Sequence, residues 1–197
     1  MYIPKHFEVT DKAEILSFIR SNPFGQLISS VKGKPFSSHL PFFLSNDEQS
    51  LFCHLAKKNP QWQEIESQEV LVTFQGNHDY ISPTWYSSPG VPTWNYQAVH
   101  VYGKARVITE RKALKEMVDH LTALYESGSD NGWSADYKSS LLQAIIGIEV
   151  DISELQGKYK LSQNRPAADQ KRISERLRKK GSTQLSEAMI LHDIKRL

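Results

Sequence analysis

Cysteine is almost absent from this sequence, which has only Cys53 among its 197 residues. A single cysteine excludes an internal disulfide framework and any metal site built from several thiolates. Long apolar runs are also missing, because no stretch approaches the roughly 18 residues of a membrane span. The first residues lack the apolar core of a signal peptide. We therefore expect a soluble, cytoplasmic protein without a membrane segment.

The common nucleotide-binding and hydrolase motifs are absent as well. None of the ten glycines forms G-x-G-x-x-G or G-x-x-x-x-G-K, and G-x-S-x-G does not occur. The seven histidines include no H-x-x-x-H pair, which argues against a zinc hydrolase. His39 and His54 lie on consecutive predicted strands and are candidate ligands for a metal or haem. Histidines in strands are more often structural residues whose ring nitrogens are hydrogen-bonded. We therefore name no catalytic residue and no metal site.

Charge is distributed unevenly along the chain. From Arg165 to the end there are nine Lys/Arg and four Asp/Glu, a net charge of +5. Residues 1–164 carry 15 basic and 18 acidic residues, a net charge of −3. Electrostatic attraction to nucleic acid must therefore come from this tail or from a local patch.

The apolar pattern predicts many short strands with a few helices between them. The predicted strands, separated by turn signals, cover 24–31, 36–44, 51–55, 70–74, 98–109 and 145–152. Helices are predicted for about 11 residues from Asp11, after Asn59-Pro60, over 110–125 and 134–144, and as two segments divided by Gly181-Ser182. This arrangement favours a mainly β fold of the α+β class, an antiparallel barrel with peripheral helices.

The segment from His54 to Trp62 is the strongest local signal. A strand ends there, Lys57 and Lys58 follow, and Asn59-Pro60 opens a short helix. The first N–H groups of a helix have no intrahelical partner, so this helix start beside lysines suits a phosphate. An ordinary capped helix with solvated lysines is the alternative interpretation.

Residues 80–96 hold five aromatic residues and three prolines, which indicates a long loop rather than one regular strand. This stretch, named here the aromatic segment, offers ring faces beside amide groups and could stack on a planar ring. The alternative is that the rings cover the barrel end or fill a dimer interface. Residues 158–165 form a polar stretch whose Arg165 could pair with phosphate or carboxylate.

The basic tail predicts a different activity. Arg172, Arg176 and Lys179 lie along one helical face beside apolar residues. Two helices joined by a turn can form a DNA-reading element, but the same composition is typical of amphipathic helices that pack on a body or on a sister subunit.

Taken together and in this order, the segments resemble the PaiB family of FMN-binding split-barrel proteins, named as negative transcriptional regulators of sporulation and degradative-enzyme genes. The resemblance covers about 165 residues and fades in the tail. The matching pieces are Met1-Tyr-Ile-Pro-Lys-His-Phe7, Ser38-His-Leu-Pro41, His54-Leu-Ala-Lys57, Asn59-Pro-Gln-Trp62, Tyr80-Ile-Ser-Pro83, Trp85-Tyr86, Val91-Pro-Thr-Trp-Asn-Tyr96, Gly157-Lys158 and Lys160-Leu-Ser-Gln-Asn-Arg165.

The resemblance implies a six-stranded Greek-key split barrel, a homodimer, and FMN in the cleft between the subunits. The phosphate-side cluster that it implies consists of Ser38, His39, Ala56, Lys57, Asn59 and Gln61. The ring-side cluster, contributed in part by a partner subunit, consists of Trp94, Asn95, Tyr96, Ser162, Gln163, Asn164 and Arg165. We expect a split-barrel flavin-binding domain over residues 1–165 and a basic helical extension over 166–197.

Three functions fit these expectations. The favoured one is a flavin-binding negative regulator of transcription whose tail contacts DNA. The second is an FMN-dependent oxidoreductase or haem-handling enzyme on the same barrel, in which the flavin would supply the chemistry. The third is a scaffold that binds no flavin.

Overall fold

The computed structural model describes residues 1–87, 89–126 and 139–194, which form a mainly antiparallel β structure with helices. The predicted fold class is confirmed. The described residues contain eight strands rather than six, in the order β3-β2-β6-β7-β8-β5-β4, with β1 beside β8. This order does not close into a barrel. The strands are β1 Glu8–Val9, β2 Phe24–Val31, β3 Lys34–Pro41, β4 Phe43–Leu44, β5 Ser50–Ala56, β6 Glu69–Ile81, β7 Thr93–Ile108 and β8 Ile145–Lys160.

Two features separate the observed strands from the predicted ones. The predicted strand 36–44 is divided at Phe42, whose side chain is buried and whose N–H donates to the Pro23 carbonyl at 2.8 Å. The last three strands extend well beyond their apolar stretches, because strand pairing continues through polar residues. Antiparallel pairing joins β2 to β3 and β6, and β5 to β4 and β8.

Two of the helical segments begin after the side chains that the sequence predicts as caps, Asp11 and Asn59. Helix α1 spans Lys12–Ser21, and the Asp11 carboxylate accepts a hydrogen bond from the Ala13 N–H at 2.9 Å. The short helix predicted after Asn59 is a single 3-10 turn, Pro60–Gln63. Helix α2 spans Arg111–Glu126, and α3 spans Ser139–Leu142.

The prediction of helix over 134–144 is met only in part. Its residues 134–138 lie outside the described residues. Leu124, near the end of α2, is 54% exposed, so the buried face of this helix, which includes Leu114 and Met117, does not extend to it. Within the part of the chain that the structure describes, no helix is long and apolar enough to cross a membrane.

The chain divides into two compact units. Unit 1 contains Met1–Phe18, Gln75–His100 and Gln156–Leu197, and unit 2 contains Ile19–Phe74 and Val101–Leu155. Each unit has buried apolar side chains of its own, such as Val9 in unit 1 and Leu51 in unit 2.

The basic extension forms two helices that belong to unit 1. Helix α4 spans Ala167–Lys180 and α5 spans Thr183–Ile194, and the turn between them places Gly181 at φ +96°. Such a left-handed conformation favours glycine at a helix end. The apolar side chains that the two helices bury include Ile173, Leu177, Leu185 and Met189. This C-terminal helix pair, α4 and α5, is therefore packed within unit 1.

Candidate functional site

The phosphate-side cluster lies in unit 2, where strand β3 meets the turn after β5. Ser38 and Asn59 are in contact, because the Asn59 Nδ2 donates to the Ser38 Oγ at 2.9 Å. The Asn59 Oδ1 accepts from the Gln61 N–H at 3.0 Å and so caps the short turn. Since Ser38 Oγ is the acceptor of the Asn59 amide, its own O–H can donate to a further group.

Lys57 precedes Asn59 by two residues in the chain, and its side chain is exposed. Its backbone N–H donates to the Ala144 carbonyl at 2.7 Å, and its carbonyl accepts from the Trp62 Nε1 at 2.9 Å. The backbone on both sides of the lysine is therefore fixed while its ammonium group faces solvent. A groove of about 270 Å³ borders it, with Arg111 and Thr109 among the lining residues.

Arg111 is a cation that sequence reasoning missed. It is the first residue of α2 and lies on an exposed stretch of sequence that carries no motif. Only the folded chain brings it to the same groove as Lys57.

The other members of the phosphate-side cluster differ in exposure. His39 is exposed on β3, with its ring stacked at 6.4 Å from the Phe24 ring, and Ala56 is exposed at the end of β5. Gln61 is fully buried, and its Nε2 donates to the Leu27 carbonyl and the Ser29 Oγ, each at 3.0 Å. Gln61 therefore stabilises the cluster from the protein interior and does not face solvent.

The two histidines considered as metal ligands lie on strands that are not neighbours in the sheet. His39 lies on β3 and His54 on β5, which are not hydrogen-bonded neighbours in the strand order. Burial lowers the pKa of His54. The described residues contain no group of three or more histidine, cysteine or acidic side chains placed to hold a metal.

The ring-side cluster lies in unit 1 and is built around Trp94. This indole is 52% exposed, and the rings of His78 and Tyr80 lie 6.4 Å and 6.2 Å from it. The Lys160 ammonium donates to the Trp94 carbonyl at 2.6 Å and to the Thr93 hydroxyl at 2.5 Å. An exposed aromatic face thus adjoins a fixed cation.

Three cations, Lys158, Lys160 and Arg165, lie along the end of β8 and the loop after it. Lys158 is buried, donates to the Tyr2 carbonyl at 3.0 Å and lies 5.4 Å from the Tyr96 ring centroid. Burial, followed by the positive charges of Lys158 and Arg165, lowers the pKa of Lys160. Lys158 and Lys160 are two residues apart on one strand. This spacing places both side chains on the same face of the strand, so the sequence could have identified them as neighbours.

Asn95 and Ser162 are brought together as a buried pair. The Asn95 Nδ2 donates to the Ser162 Oγ at 2.9 Å, and that hydroxyl donates back to the Asn95 Oδ1 at 3.1 Å. Ser162 has φ +69°, a left-handed conformation that this pairing helps to hold. Both side chains are buried, so they fix the cluster from within.

The remaining ring-side residues lie in the loop after β8. The Gln163 Oε1 accepts from the Leu161 N–H at 2.7 Å, and Asn164 is exposed. The Arg165 guanidinium lies 4.0 Å from the Tyr86 ring centroid, a cation–π contact.

The residues proposed for DNA contact all lie on α4. Arg172, Arg176 and Lys179 are exposed, while Ile173 and Leu177 on the same helix are buried. The sequence-based assignment of a basic outer face and an apolar inner face therefore matches the helix.

Comparison with known proteins gives a consistent set of relatives. Residues 1–154 match the family described as "Putative FMN-binding domain". The chain is 42% identical to the Bacillus subtilis "Protease synthase and sporulation protein PAI 2", with 96% of each chain covered.

Solved flavoproteins share the fold at low sequence identity. The flavocytochrome Anf3 from Azotobacter vinelandii superimposes with a TM-score of 0.66 at 14% identity, covering 80% of this chain and 72% of that one. The FAD and haem binding protein from Mycobacterium smegmatis gives a TM-score of 0.66 at 15% identity, covering 83% and 78%. At these identities the likeness concerns the fold alone.

Proposed function

Because this chain belongs to the FMN-binding family that its first 154 residues match, we propose that it is a flavin-binding negative regulator of transcription that acts as a homodimer. The name of the 42% identical Bacillus subtilis relative refers to protease synthesis and sporulation. The genes proposed as targets are accordingly those for sporulation and degradative enzymes.

The residues present suit FMN. The cofactor combines a phosphate with a planar ring system, and the two clusters offer a different chemistry to each end. The Lys57 ammonium and the Ser38 hydroxyl are donors for phosphate oxygens, and the Asn59 amide holds that hydroxyl in place. The exposed Trp94 indole offers an apolar face for a ring.

The observation that carries the proposal is this division of roles between the clusters. We infer that the phosphate-side cluster of one subunit and the ring-side cluster of its partner hold one FMN together. When bound, FMN supplies electron or hydride transfer, and the protein supplies position and charge. Lys160, fixed on the Trp94 carbonyl, would place positive charge beside the ring.

FMN binding tests the phosphate end. Replacing Lys57 by alanine removes a charged hydrogen-bond donor, so we expect FMN affinity to fall by about 1 to 3 kcal/mol, or roughly 5- to 150-fold. Fluorescence titration of FMN measures the effect. Lys58→Ala is the matched control, because Lys58 is the adjacent exposed lysine. Equal affinities for Lys57→Ala and the wild type would place the phosphate elsewhere.

The dimer is tested by mass. Light scattering coupled to size exclusion should give twice the mass of the 22.5 kDa chain, with one FMN per subunit at saturation. A monomer that binds FMN with unchanged affinity at all protein concentrations would contradict the shared site.

Transcriptional regulation is tested at the outer face of α4. Replacing Arg172, Arg176 and Lys179 together by alanine removes three cations, so the slope of log affinity against log salt should fall by about 2.7 if each contacts a phosphate. The assay is anisotropy with labelled duplex from the promoter region of a target gene. A control that replaces Lys12, Lys32 and Lys34 removes the same charge from exposed positions elsewhere. Equal slopes for the two variants would contradict contact between DNA phosphates and these three side chains of α4.

An oxidoreductase is the second candidate, favoured by the cations beside the ring-side cluster. Lys158 and Lys160 both lie there, and positive charge near a flavin favours its uptake of electrons. Consumption of NADH or NADPH in the presence of FMN, at a rate well above that of free FMN, would support the enzyme. A rate equal to that of free FMN would contradict the oxidoreductase and favour the transcriptional regulator.

A further inference from the structure

A carboxylate is buried in the first turn of α4, in a helix whose other charges are mostly exposed. The Asp169 side chain is fully buried. Its Oδ1 accepts two hydrogen bonds from Ser87, from the backbone N–H at 2.8 Å and from the Oγ at 2.6 Å. Burying a carboxylate is costly unless hydrogen bonds compensate for the lost water. Ser87 is therefore the described residue that hydrogen-bonds this carboxylate, through Oδ1, whereas Oδ2 is buried and has no hydrogen-bond partner among the described residues.

Ser87 lies in the middle of the aromatic segment, next to a tightly packed ring. The Tyr86 ring is buried, with the Arg165 guanidinium 4.0 Å from its centroid. At Gly90 a Cβ atom would lie 2.2 Å from Tyr86 Cδ2, so only glycine lets the chain pass the ring so closely. The chain around Ser87 is thus held between Tyr86 and the start of α4.

Two more contacts join the C-terminal helix pair to this part of unit 1. Just before the aromatic segment, the Asp79 carboxylate accepts from the Lys180 Nζ at 2.5 Å and from the Ser182 hydroxyl. Near its end, the Asn95 Nδ2 donates to the Met189 Sδ at 3.6 Å. The helix pair therefore contacts the chain at positions 79, 87 and 95, on both sides of the loop and in its middle.

Among these three hydrogen-bonded contacts of described residues, the one to Ser87 reaches the irregular part of the segment, where α4 also packs against the 3-10 turn. Residues 79 and 95 belong to β6 and β7, whose backbones are also held in the sheet. Ser87 lies between the 3-10 turn Pro83–Trp85 and the start of β7, outside both strands. Its backbone N–H has the Asp169 carboxylate as its acceptor.

We propose that Asp169 is a positioning residue, which holds the irregular part of the aromatic segment through Ser87 and so fixes the loop between β6 and β7, the strands that carry Tyr80 and Trp94 at the proposed flavin site. This proposal rests on the proposed flavin site for its consequence, but the positioning itself is a property of the flavin-free protein. The basic extension then serves the cofactor site through its buried acidic residue.

Hydrogen exchange on the flavin-free protein tests the positioning directly. Asp169→Ala removes the acceptor, so amide exchange in peptides covering residues 82–92 should rise about tenfold or more, as expected for loss of a hydrogen bond to a charged group. Asp169→Asn keeps an oxygen acceptor and should restore most of the protection. Glu175→Ala, which removes an exposed carboxylate from the same helix, is the matched control and should exchange like the wild type.

A second variant covers the case in which Asp169→Ala fails to fold. Ser87→Ala, at an exposed residue, removes only the hydroxyl donor, so we expect a rise of about threefold in the same peptides. Peptides from β5 in unit 2 serve as an internal reference, because a general loss of stability would raise exchange there too. Unchanged exchange at residues 82–92 in both variants would overturn the proposal, as would equal loss of protection in Asp169→Asn and Asp169→Ala.

FMN titration then links positioning to the cofactor. We expect Asp169→Ala to weaken FMN binding about tenfold and to change the visible circular dichroism of the bound flavin, with Asp169→Asn close to the wild type. If the wild type binds no FMN, the proposed function fails while the exchange result still decides the role of Asp169. If exchange rises but FMN affinity and dichroism stay unchanged, the segment is held by Asp169 without serving the flavin, and the proposal is overturned.

Discussion

Replacing Gln61 by methionine separates support of the phosphate-side cluster from contact with the cofactor. The Gln61 amide is fully buried, and its Nε2 donates to the Leu27 carbonyl and the Ser29 hydroxyl at 3.0 Å each. A third, longer contact of 3.5 Å reaches the Phe36 carbonyl. Methionine has a similar length and shape but no amide, so the substitution removes these bonds without opening a large cavity.

The expected loss follows from two opposing terms. Two well-formed hydrogen bonds contribute about 0.5 to 1.5 kcal/mol each, so their removal costs about 1 to 3 kcal/mol. The Gln61 Oε1 is buried and has no hydrogen-bond partner among the described residues, which is a cost that methionine relieves. We therefore expect Gln61→Met to lower the free energy of unfolding by about 1 to 2 kcal/mol, and the melting temperature by roughly 2 to 8 °C.

Urea unfolding, followed by tryptophan fluorescence, measures the stability change. Gln63→Met in the same turn is the control, because Gln63 is exposed and should change stability by less than about 0.5 kcal/mol. The folded variant should bind FMN within about threefold of the wild type, in contrast to Lys57→Ala. Unchanged stability with a large loss of FMN affinity would refute the reasoning, because it would make Gln61 a direct ligand.

Two further predictions concern each unit in turn. Gly103→Ala should destabilise unit 2 by about 1 to 3 kcal/mol or more in urea unfolding, because the new Cβ would lie 2.2 Å from the Asp151 carbonyl oxygen, and a stability equal to that of the wild type would contradict this clash. Acid should weaken unit 1, since hydrogen bonds from Ser87 lower the pKa of Asp169, and at Asp79 hydrogen bonds from the C-terminal helix pair outweigh the opposing effect of burial and lower its pKa as well. A lowered pKa stabilises the folded state above the unfolded value, and that contribution is lost as pH falls below about 4. The protection factors of the helix-pair amides, which correct for the slower intrinsic exchange in acid, should therefore fall there, and protection factors that stay constant down to about pH 3 would contradict the assignment.

The parts of the fold that depend on local pattern could be predicted from the sequence. Strand β2 has the predicted bounds, Phe24–Val31, because a short stretch rich in apolar and β-branched residues ends at the turn around Gly33. The division between α4 and α5 falls at Gly181, whose left-handed conformation explains its place in the sequence. Both features are set by a few neighbouring residues.

The parts that depend on distant pairing could not be predicted. Strand β6 continues through Gly76 and Asn77, which look like a turn in the sequence but lie within the strand Glu69–Ile81. A turn signal is a local preference, and pairing with neighbouring strands can override it. The short strand β1 pairs with β8 about 150 residues later, with Glu8 opposite Lys158, and two residues carry no pattern of their own.

In the candidate site, too, the sequence indicates some features and only the folded structure reveals the others. The contact between Ser38 and Asn59 joins two segments that the resemblance had grouped, although neither segment alone indicates it. The burial of Gln61 and Asn95 could not be read from the sequence, because polar side chains are usually exposed and only the packing around them reveals otherwise. The family resemblance therefore identified the segments, and the fold decided which side chains face solvent.

The C-terminal helix pair shows why its net charge is an incomplete guide to its role. The composition of residues 165–197 is typical either of contact with DNA or of amphipathic helices that pack on a body, and the contacts that fix the pair in unit 1 include a buried acid, Asp169, and an apolar inner face. Deleting residues 166–197 would remove Asp169 and Met189 together with the exposed cations. Loss of DNA binding after such a deletion would therefore not distinguish a DNA-contacting surface from a disturbed aromatic segment. Only substitutions confined to the outer face of α4 separate the two, since they leave the contacts at Ser87 and Asn95 intact.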